Sequence, residues 1–264
     1  TGCDVLMQKV GELDSFSKPF IVDGLYMGTP VVESETFSLS EDDVLSEAQI
    51  TLHLASTSFD ESMNTAPISS AVVQLTSDNI SPFPIPESSE AKGSYTASAN
   101  EGLPYPAGEY ITIDVERSNG TTHQIGITAP LAPMFSLPAG HPTSEALSID
   151  VSDQEYYESF VIVLRADTGE ITYQKFPQTV EELYEYAHPN AAVKHETAEY
   201  IEQIQIPPSA FPSNTVYAVG IAGIQSSLQE DMIEVNTLIS SLIAGQFRFQ
   251  DLCVPDCDTL MSIE

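Results

Sequence analysis

The sequence predicts a mainly β protein that consists of two β-sandwich domains, with one short helix in the second domain. Many short segments alternate apolar and polar residues with a period of two, which is typical of strands with one buried face. Proline-rich stretches and polar turns separate these segments. Hydrophobic residues make up 42% of the 264 residues, so a packed core is expected rather than global disorder.

The first domain is predicted over residues 20–127. Residues 48–55 read AQITLHLA, so Ile50, Leu52 and Leu54 face one side of a strand and the residues between them face the other. An acidic loop and a proline-rich loop interrupt the strands. The predicted strands of this domain occupy residues 20–26, 48–55, 71–75, 93–97 and 108–115.

Three short motifs follow one another in this domain. Residues 71–75 (AVVQL) precede residues 93–95 (GSY), and residues 107–110 (AGEY) come next. This order resembles the transthyretin-like or carboxypeptidase-regulatory-like β-sandwich module, in which an A-x-V-x-L strand is followed by G-x-Y and P-G-x-Y turns. Ala107 stands where those modules have proline. The resemblance implies a fold and no activity.

The second domain is predicted over residues 128–250, and this range begins with a linker that contains Pro130 and Pro133. Its helix is expected at residues 179–187, where Thr179 and Glu182 have the spacing of a capping box. Residues 231–244 fit either a helix or a strand. The predicted strands occupy residues 146–151, 160–164, 170–176, 199–206, 215–222 and 246–250. These spacings fit two Ig-like or fibronectin-III-like sandwiches, with a single large sandwich as the alternative.

The first residues, Thr1-Gly2-Cys3-Asp4, carry a second resemblance. A small residue, a glycine and a cysteine resemble the end of a bacterial lipoprotein signal. The resemblance implies that Cys3 is lipidated and that the protein lies at the bacterial cell envelope, anchored at the periplasmic or outer surface. Residues 1–19 would then be a tether. The alternative is an unmodified surface cysteine.

No apolar run reaches the roughly 18 residues that a membrane-spanning helix needs. The longest, around residues 238–244, is interrupted by Ser240 and Ser241. Attachment to a membrane is therefore expected only through a lipid on Cys3.

Two further cysteines lie in a predicted C-terminal tail, residues 251–264. Cys253 and Cys257 enclose a very short loop, which predicts one disulfide in an exported protein. A zinc site is less favoured, because the acidic residues nearby offer hard oxygen ligands that suit thiolate-bound zinc poorly. This pairing leaves Cys3 available as a lipid acceptor.

The chain is strongly acidic. It has 8 lysines and arginines against 39 aspartates and glutamates, which gives a formal charge of -31. Eight cations spread along the chain cannot form a basic patch, so binding to nucleic acid or to anionic lipid headgroups is not expected. Three interpretations of the acidity are open: solubility in salt, binding of divalent cations, and attraction to a basic partner.

The Gly-x-Ser-x-Gly motif of nucleophilic catalysis does not occur in the sequence. His195 and Glu196 begin a His-Glu-x-x-His-like pattern, but Glu199 replaces the second histidine of that zinc motif. Acidic residues at 41–43 and 256–258 are the candidates for calcium.

Aromatic residues offer a further kind of candidate site. With no tryptophan in the chain, a sugar platform would depend on tyrosines, and the candidates are Tyr156, Tyr157, Tyr184 and Tyr186. Packing against strands and the helix is the alternative role of these tyrosines.

These observations predict a non-catalytic exported lipoprotein that acts as a protein-binding or assembly subunit at the cell envelope. The expected partner is another envelope or surface protein, and no cofactor is expected, although calcium stays open. The alternative is a binding or adhesion module that depends on glycan or calcium. An enzyme is the least favoured class and would need a pocket with a histidine and two acids.

Overall fold

The structure is a computed structural model that describes residues 20–40, 43–57, 65–156, 158–176, 200–233 and 236–257. Within these ranges the chain is mainly β and has no helix of seven residues or more, which confirms the predicted fold class at this level. Three single turns of 3-10 helix lie at Val44–Ser46, Ala99–Glu101 and Pro208–Ala210. The predicted helix at residues 179–187 and the predicted tether at residues 1–19 lie outside the described residues.

The strands follow the predicted alternation closely. They are β1 (Phe20–Glu33), β2 (Gln49–Thr57), β3 (Thr65–Pro67), β4 (Val72–Ser77), β5 (Ile80–Pro84), β6 (Ser94–Ser98), β7 (Tyr110–Glu116), β8 (Thr122–Thr128), β9 (Leu147–Asp150), β10 (Glu158–Arg165), β11 (Ile171–Lys175), β12 (Gln203–Ile206), β13 (Thr215–Ile233) and β14 (Asn236–Val254). The segment that fits either helix or strand in sequence is strand wherever it is described, because β13 and β14 form one long antiparallel hairpin.

A large sheet of eight strands organises the fold. Its order is β11-β10-β13-β14-β1-β2-β3, and β6 also pairs with β2. The pairing of β1 with β14 is parallel and runs from Phe20 opposite Leu238 to Glu33 opposite Gln250. Strands from both predicted domains therefore share one sheet.

Two smaller sheets cover one face of the large sheet. The first has four strands in the order β5-β4-β7-β8, and the second pairs β12 with β9. Leu242 and Ala244 of β14 belong to the core under the first small sheet, whereas Leu252 and Val254 belong to the core under the second. Since these four positions have the same parity along β14, both cores lie on the same face.

The reverse face of the large sheet carries a third apolar cluster. Ile243, Phe247 and Phe249 of β14 belong to it, together with apolar residues of β10 and β13. The chain after β1 folds back onto this face, and the Phe37 ring lies 6.1 Å from the Phe249 ring. Both faces of β14 are therefore buried over much of its length.

Three polar side chains of β14 separate the two cores, and we call Gln246, Arg248 and Gln250 the polar seam. The backbone N–H of Ala132 donates to Gln246 Oε1 at 3.0 Å, and Arg248 Nε donates to the Pro133 carbonyl at 2.7 Å. These bonds hold the linker between the two predicted domains flat across the large sheet. The Arg248 side chain is only 12% exposed and also forms an ion pair with Glu33.

Two tyrosines also hold the same linker. Tyr156 OH donates to the Leu131 carbonyl at 2.8 Å, and Tyr105 OH donates to the Pro130 carbonyl at 3.0 Å. The Tyr156 ring lies over Gly223 of β13, where any Cβ would collide with it. Burial raises the pKa of both tyrosines, so each stays a neutral hydrogen-bond donor.

Two cores over a shared sheet agree with the sandwich-like part of the predicted fold, and the domain boundary at residues 127 and 128 stays a prediction. One detail of the C-terminal region differs from the predicted layout. Strand β14 continues to Val254, so residues 251–254 of the predicted tail belong to the large sheet.

We predict that Arg248→Met lowers the free energy of unfolding by about 1–3 kcal/mol, because the buried Pro133 carbonyl loses its donor. Urea unfolding followed by circular dichroism measures the change. Arg165→Met is the matched control, since Arg165 pairs with Asp167 at the surface and its loss should leave the midpoint nearly unchanged. Equal effects of the two variants would contradict a structural role for the polar seam.

A second prediction concerns His123 of β8, which is 5% exposed and stacks on Phe20 with ring centroids 4.5 Å apart. Its buried Nε2 has no hydrogen-bond partner among the described residues. Burial lowers the pKa of His123, and the nearby charge of Arg117 lowers it further. The unfolded chain therefore takes up the proton first as the pH falls below about 6.5.

The contribution of neutral His123 to the free energy of unfolding should be fully present above that pH. It should be lost as the pH falls towards the lower pKa of His123 in the folded protein. Urea unfolding of the wild type and of His123→Phe at several pH values between 7.5 and 5 measures this. The wild type should lose more stability over the range than the variant does. Parallel curves for the two proteins would rule out the proposed linkage.

Candidate functional site

A cleft of about 860 Å³ opens beside the C-terminal ends of β1 and β14. Because these two strands are parallel, both end at the same edge of the large sheet. The chain leaves β1 there as the loop of residues 34–36, and β14 reaches the disulfide there. Val216 of β13 and Leu137 of the linker complete the walls.

Asp251 of β14 fixes the loop that forms one side of the cleft. Its Oδ1 accepts a hydrogen bond from Ser34 Oγ at 2.8 Å. Its Oδ2 accepts from Thr36 Oγ1 at 2.8 Å and from the backbone N–H groups of Glu35 and Thr36 at 3.2 and 3.3 Å. The carboxylate is thus surrounded by donors, and its role is to hold the loop in place.

The disulfide between Cys253 and Cys257 forms another side of the cleft. The two Cα atoms are 5.1 Å apart, which is within the usual range for a disulfide-bonded pair. The backbone N–H of His141 donates to the Cys253 carbonyl at 3.0 Å, and Gly140 forms a β-bridge with Asp256. These contacts attach the disulfide loop to the chain that follows the linker.

The charges around the cleft differ in how they are compensated. Glu33 accepts a hydrogen bond from Gln250 Nε2 at 2.9 Å and pairs with Arg248. The Gln250 hydrogen bond is the largest cause that lowers the pKa of Glu33, and the Arg248 charge adds to it. Glu35 is exposed, and no described residue forms an ion pair or a side-chain hydrogen bond with its carboxylate.

Several residues singled out from the sequence lie outside the described residues. They are Cys3, Tyr157, Tyr184, Tyr186, His195, Glu196 and Glu199. Tyr156 is described and is buried against Gly223, so its ring packs in the core and cannot serve as an exposed sugar platform.

The two acidic segments suggested for calcium are described only in part. Asp43 Oδ2 accepts from the backbone N–H and the hydroxyl of Ser40, both at 3.0 Å, and so closes a turn. Asp256 lies in the bridge to Gly140, while residues 41, 42 and 258 are outside the described ranges. Within the described ranges, no group of three or more His, Cys, Asp or Glu side chains is placed to hold a metal ion.

Sequence reasoning singled out Cys253 and Cys257 but missed Glu33, Glu35, Gln250 and the role of Asp251. Glu33 and Gln250 lie opposite each other in the parallel pair, and they are far apart in the chain. Their local sequences show only strand alternation or a polar loop, so no local signal indicates that they meet.

Comparison of the sequence with protein-family models and with curated proteins finds no match. In the part of the chain that the structure describes, no helix has the length and apolar character needed to cross a membrane.

The loop geometry leads to a prediction for Asp251. Asp251→Ala removes the acceptor of the Ser34 and Thr36 hydroxyl bonds, so it should lower the free energy of unfolding by about 1–3 kcal/mol. Amide hydrogen exchange of the Thr36 N–H should become faster at the same time. Asp153→Ala, at an exposed turn, is the control and should change stability by less than about 0.5 kcal/mol. Unchanged exchange at Thr36 would show that Asp251 does not hold the loop.

Proposed function

We propose that this chain is a non-catalytic exported lipoprotein of the bacterial cell envelope, and that it binds another protein as an accessory or assembly subunit. The observation that carries the proposal is the exposure of Leu131 and Met134, at 62% and 66%, on the linker between the two cores. We call these two residues the apolar linker surface.

The backbone under the apolar linker surface is held on both sides. The Leu131 carbonyl accepts from Tyr156, and Met134 N–H donates to Gln154 Oε1 at 2.9 Å. Gln154 also donates back to the Met134 carbonyl. A fixed backbone that presents apolar side chains to water loses little conformational entropy on binding, which favours a protein-binding role.

The fold contributes to the same proposal. We propose that the two cores belong to sandwich units of the Ig-like or transthyretin-like type, with the linker as the boundary between them. Such units present faces and strand edges to other proteins without needing a catalytic centre. Because the apolar linker surface lies at this boundary, a partner protein could contact it and both units at once.

The envelope location rests on the resemblance of Thr1-Gly2-Cys3 to a lipoprotein signal. A formal charge of -31 disfavours binding to anionic lipid headgroups, so the lipid on Cys3 would supply the attachment. The same charge favours partners with basic surfaces, because attraction between opposite charges increases the rate of encounter.

The test is crosslinking and affinity capture from native membranes, followed by mass spectrometry of the protein and of Cys3. We expect acyl chains on Cys3 and one protein captured in stoichiometric amount. The double variant Leu131→Ser and Met134→Ser should lose about tenfold or more of the capture, because two exposed apolar anchors are removed. Ile171→Ser, at another exposed apolar position, should capture normally.

Two outcomes would contradict the proposal. Equal capture by the double variant and by Ile171→Ser would show that the apolar linker surface does not bind the partner. A Cys3 without acyl chains would show that the protein is not a lipoprotein.

Capture of polysaccharide in place of protein would favour the glycan alternative. Tyr110 supports that alternative, since it is 65% exposed with its ring over Gly126. Loss of the polysaccharide with Tyr110→Ala would then identify the platform.

A further inference from the structure

We propose that the cleft beside the C-terminal ends of β1 and β14 receives a lysine or arginine side chain of the protein partner. This inference deepens the proposed function and rests on it, because the partner protein supplies the side chain. It concerns a different surface from the apolar linker surface, and its test does not need the partner.

The lining of the cleft suits an apolar stem, and its volume leaves room for one. Its volume is about 860 Å³, and Leu137, Val216 and the Cys253–Cys257 disulfide provide apolar walls. The aliphatic parts of lysine and arginine pack favourably on such surfaces while the charged end stays near water. A small hydrated ion would leave these walls exposed to water.

The rim of the cleft is negatively charged, and the Glu35 carboxylate is the one left open to a ligand. Glu33 is paired with Arg248, and the Asp251 carboxylate accepts hydrogen bonds from Ser34 and Thr36. Glu35 lies between these donors in sequence and lines the same cleft, and no described residue pairs with its carboxylate. The neutral donors around Asp251 occupy its oxygens without cancelling its charge, so the rim attracts a cationic group and Glu35 is the carboxylate open to bind it.

The same pattern argues against a metal ion. Calcium takes about six to eight oxygen ligands, usually with several carboxylates. Among the described residues, no group of three or more His, Cys, Asp or Glu side chains is placed for this, and Asp251 is already committed to the loop. One carboxylate beside an apolar wall matches an ammonium or guanidinium group on a carbon chain.

The loop that carries Glu35 is fixed before any ligand arrives. Asp251 accepts from the Glu35 and Thr36 N–H groups, and Ser34 Oγ accepts from the Phe37 N–H at 2.6 Å. The loop backbone at Glu35 thus does not need to be ordered on binding, and only the Glu35 side chain loses conformational freedom there.

The test is titration of the ¹⁵N-labelled full chain with three acetylated, amidated tripeptides, followed by amide chemical shifts. The peptides are Gly-Lys-Gly, Gly-Arg-Gly and the uncharged Gly-norleucine-Gly. A single ion pair with stem packing predicts a Kd of about 1 mM or weaker. We expect the shifts to be confined to Glu35, Thr36, Asp251 and Cys257 and their neighbours, with norleucine binding about threefold more weakly.

Glu35→Gln and Glu90→Gln make the same change of charge, and Glu90 is exposed away from the cleft. Glu35→Gln should raise the Kd of the lysine and arginine peptides by about threefold, and Glu90→Gln should leave it unchanged. Equal weakening by the two variants, shifts spread over the whole acidic surface, or no shift at about 50 mM peptide would overturn the inference. The titration contains no partner protein, so the two experiments test the two proposals separately. Peptide binding in the cleft without capture of a protein from membranes would reject the proposed function alone. Capture of a protein without peptide binding in the cleft would reject this inference alone.

Discussion

The parallel pairing of β1 with β14 is the interaction on which the rest of the fold depends. In the large sheet, β13, β10 and β11 lie beyond β14 on one side of this pair. On the other side, β2, β3 and β6 lie beyond β1. Phe20, Val22 and Tyr26 of β1 face the same core as Leu242 and Ala244 of β14. A slip of one residue would turn these side chains to the opposite face, so burial of the core defines the register. The same register brings Glu33 beside Gln250 and thereby shapes the cleft.

The polar seam explains why one sheet supports two cores. Gln246, Arg248 and Gln250 occupy positions on β14 where apolar residues would join the cores into one. They bond both to β1, where Gln246 Nε2 donates to the Thr29 carbonyl at 2.8 Å, and to the linker backbone, where Gln250 Nε2 donates to the Phe135 carbonyl at 3.2 Å. Buried polar groups are tolerated when they are hydrogen-bonded, and here they determine where the chain crosses. The linker is consequently part of the packed structure and not a free connection.

The sequence allowed prediction of the strands far better than of their partners. Period-two alternation is a local property, and it located β2, β4, β7 and β10 closely. The alternation of residues 246–250 also predicted a strand, but it did not distinguish polar residues that face water from polar residues that face a buried linker. The cleft could not be predicted, because Glu35, Leu137 and Val216 come from distant parts of the chain. Only the short spacing of Cys253 and Cys257 indicated part of that site.

The pairing of Phe20 with Leu238 has a consequence for the order of folding. During synthesis, β1 and β2 leave the ribosome long before β14 exists, and one edge of β1 must stay unpaired until β14 arrives. Contacts between residues so far apart in sequence slow folding, and unpaired apolar strands are prone to aggregation. The strong negative charge would then act on the nascent chain as well, since repulsion between unfinished copies keeps their open strand edges apart.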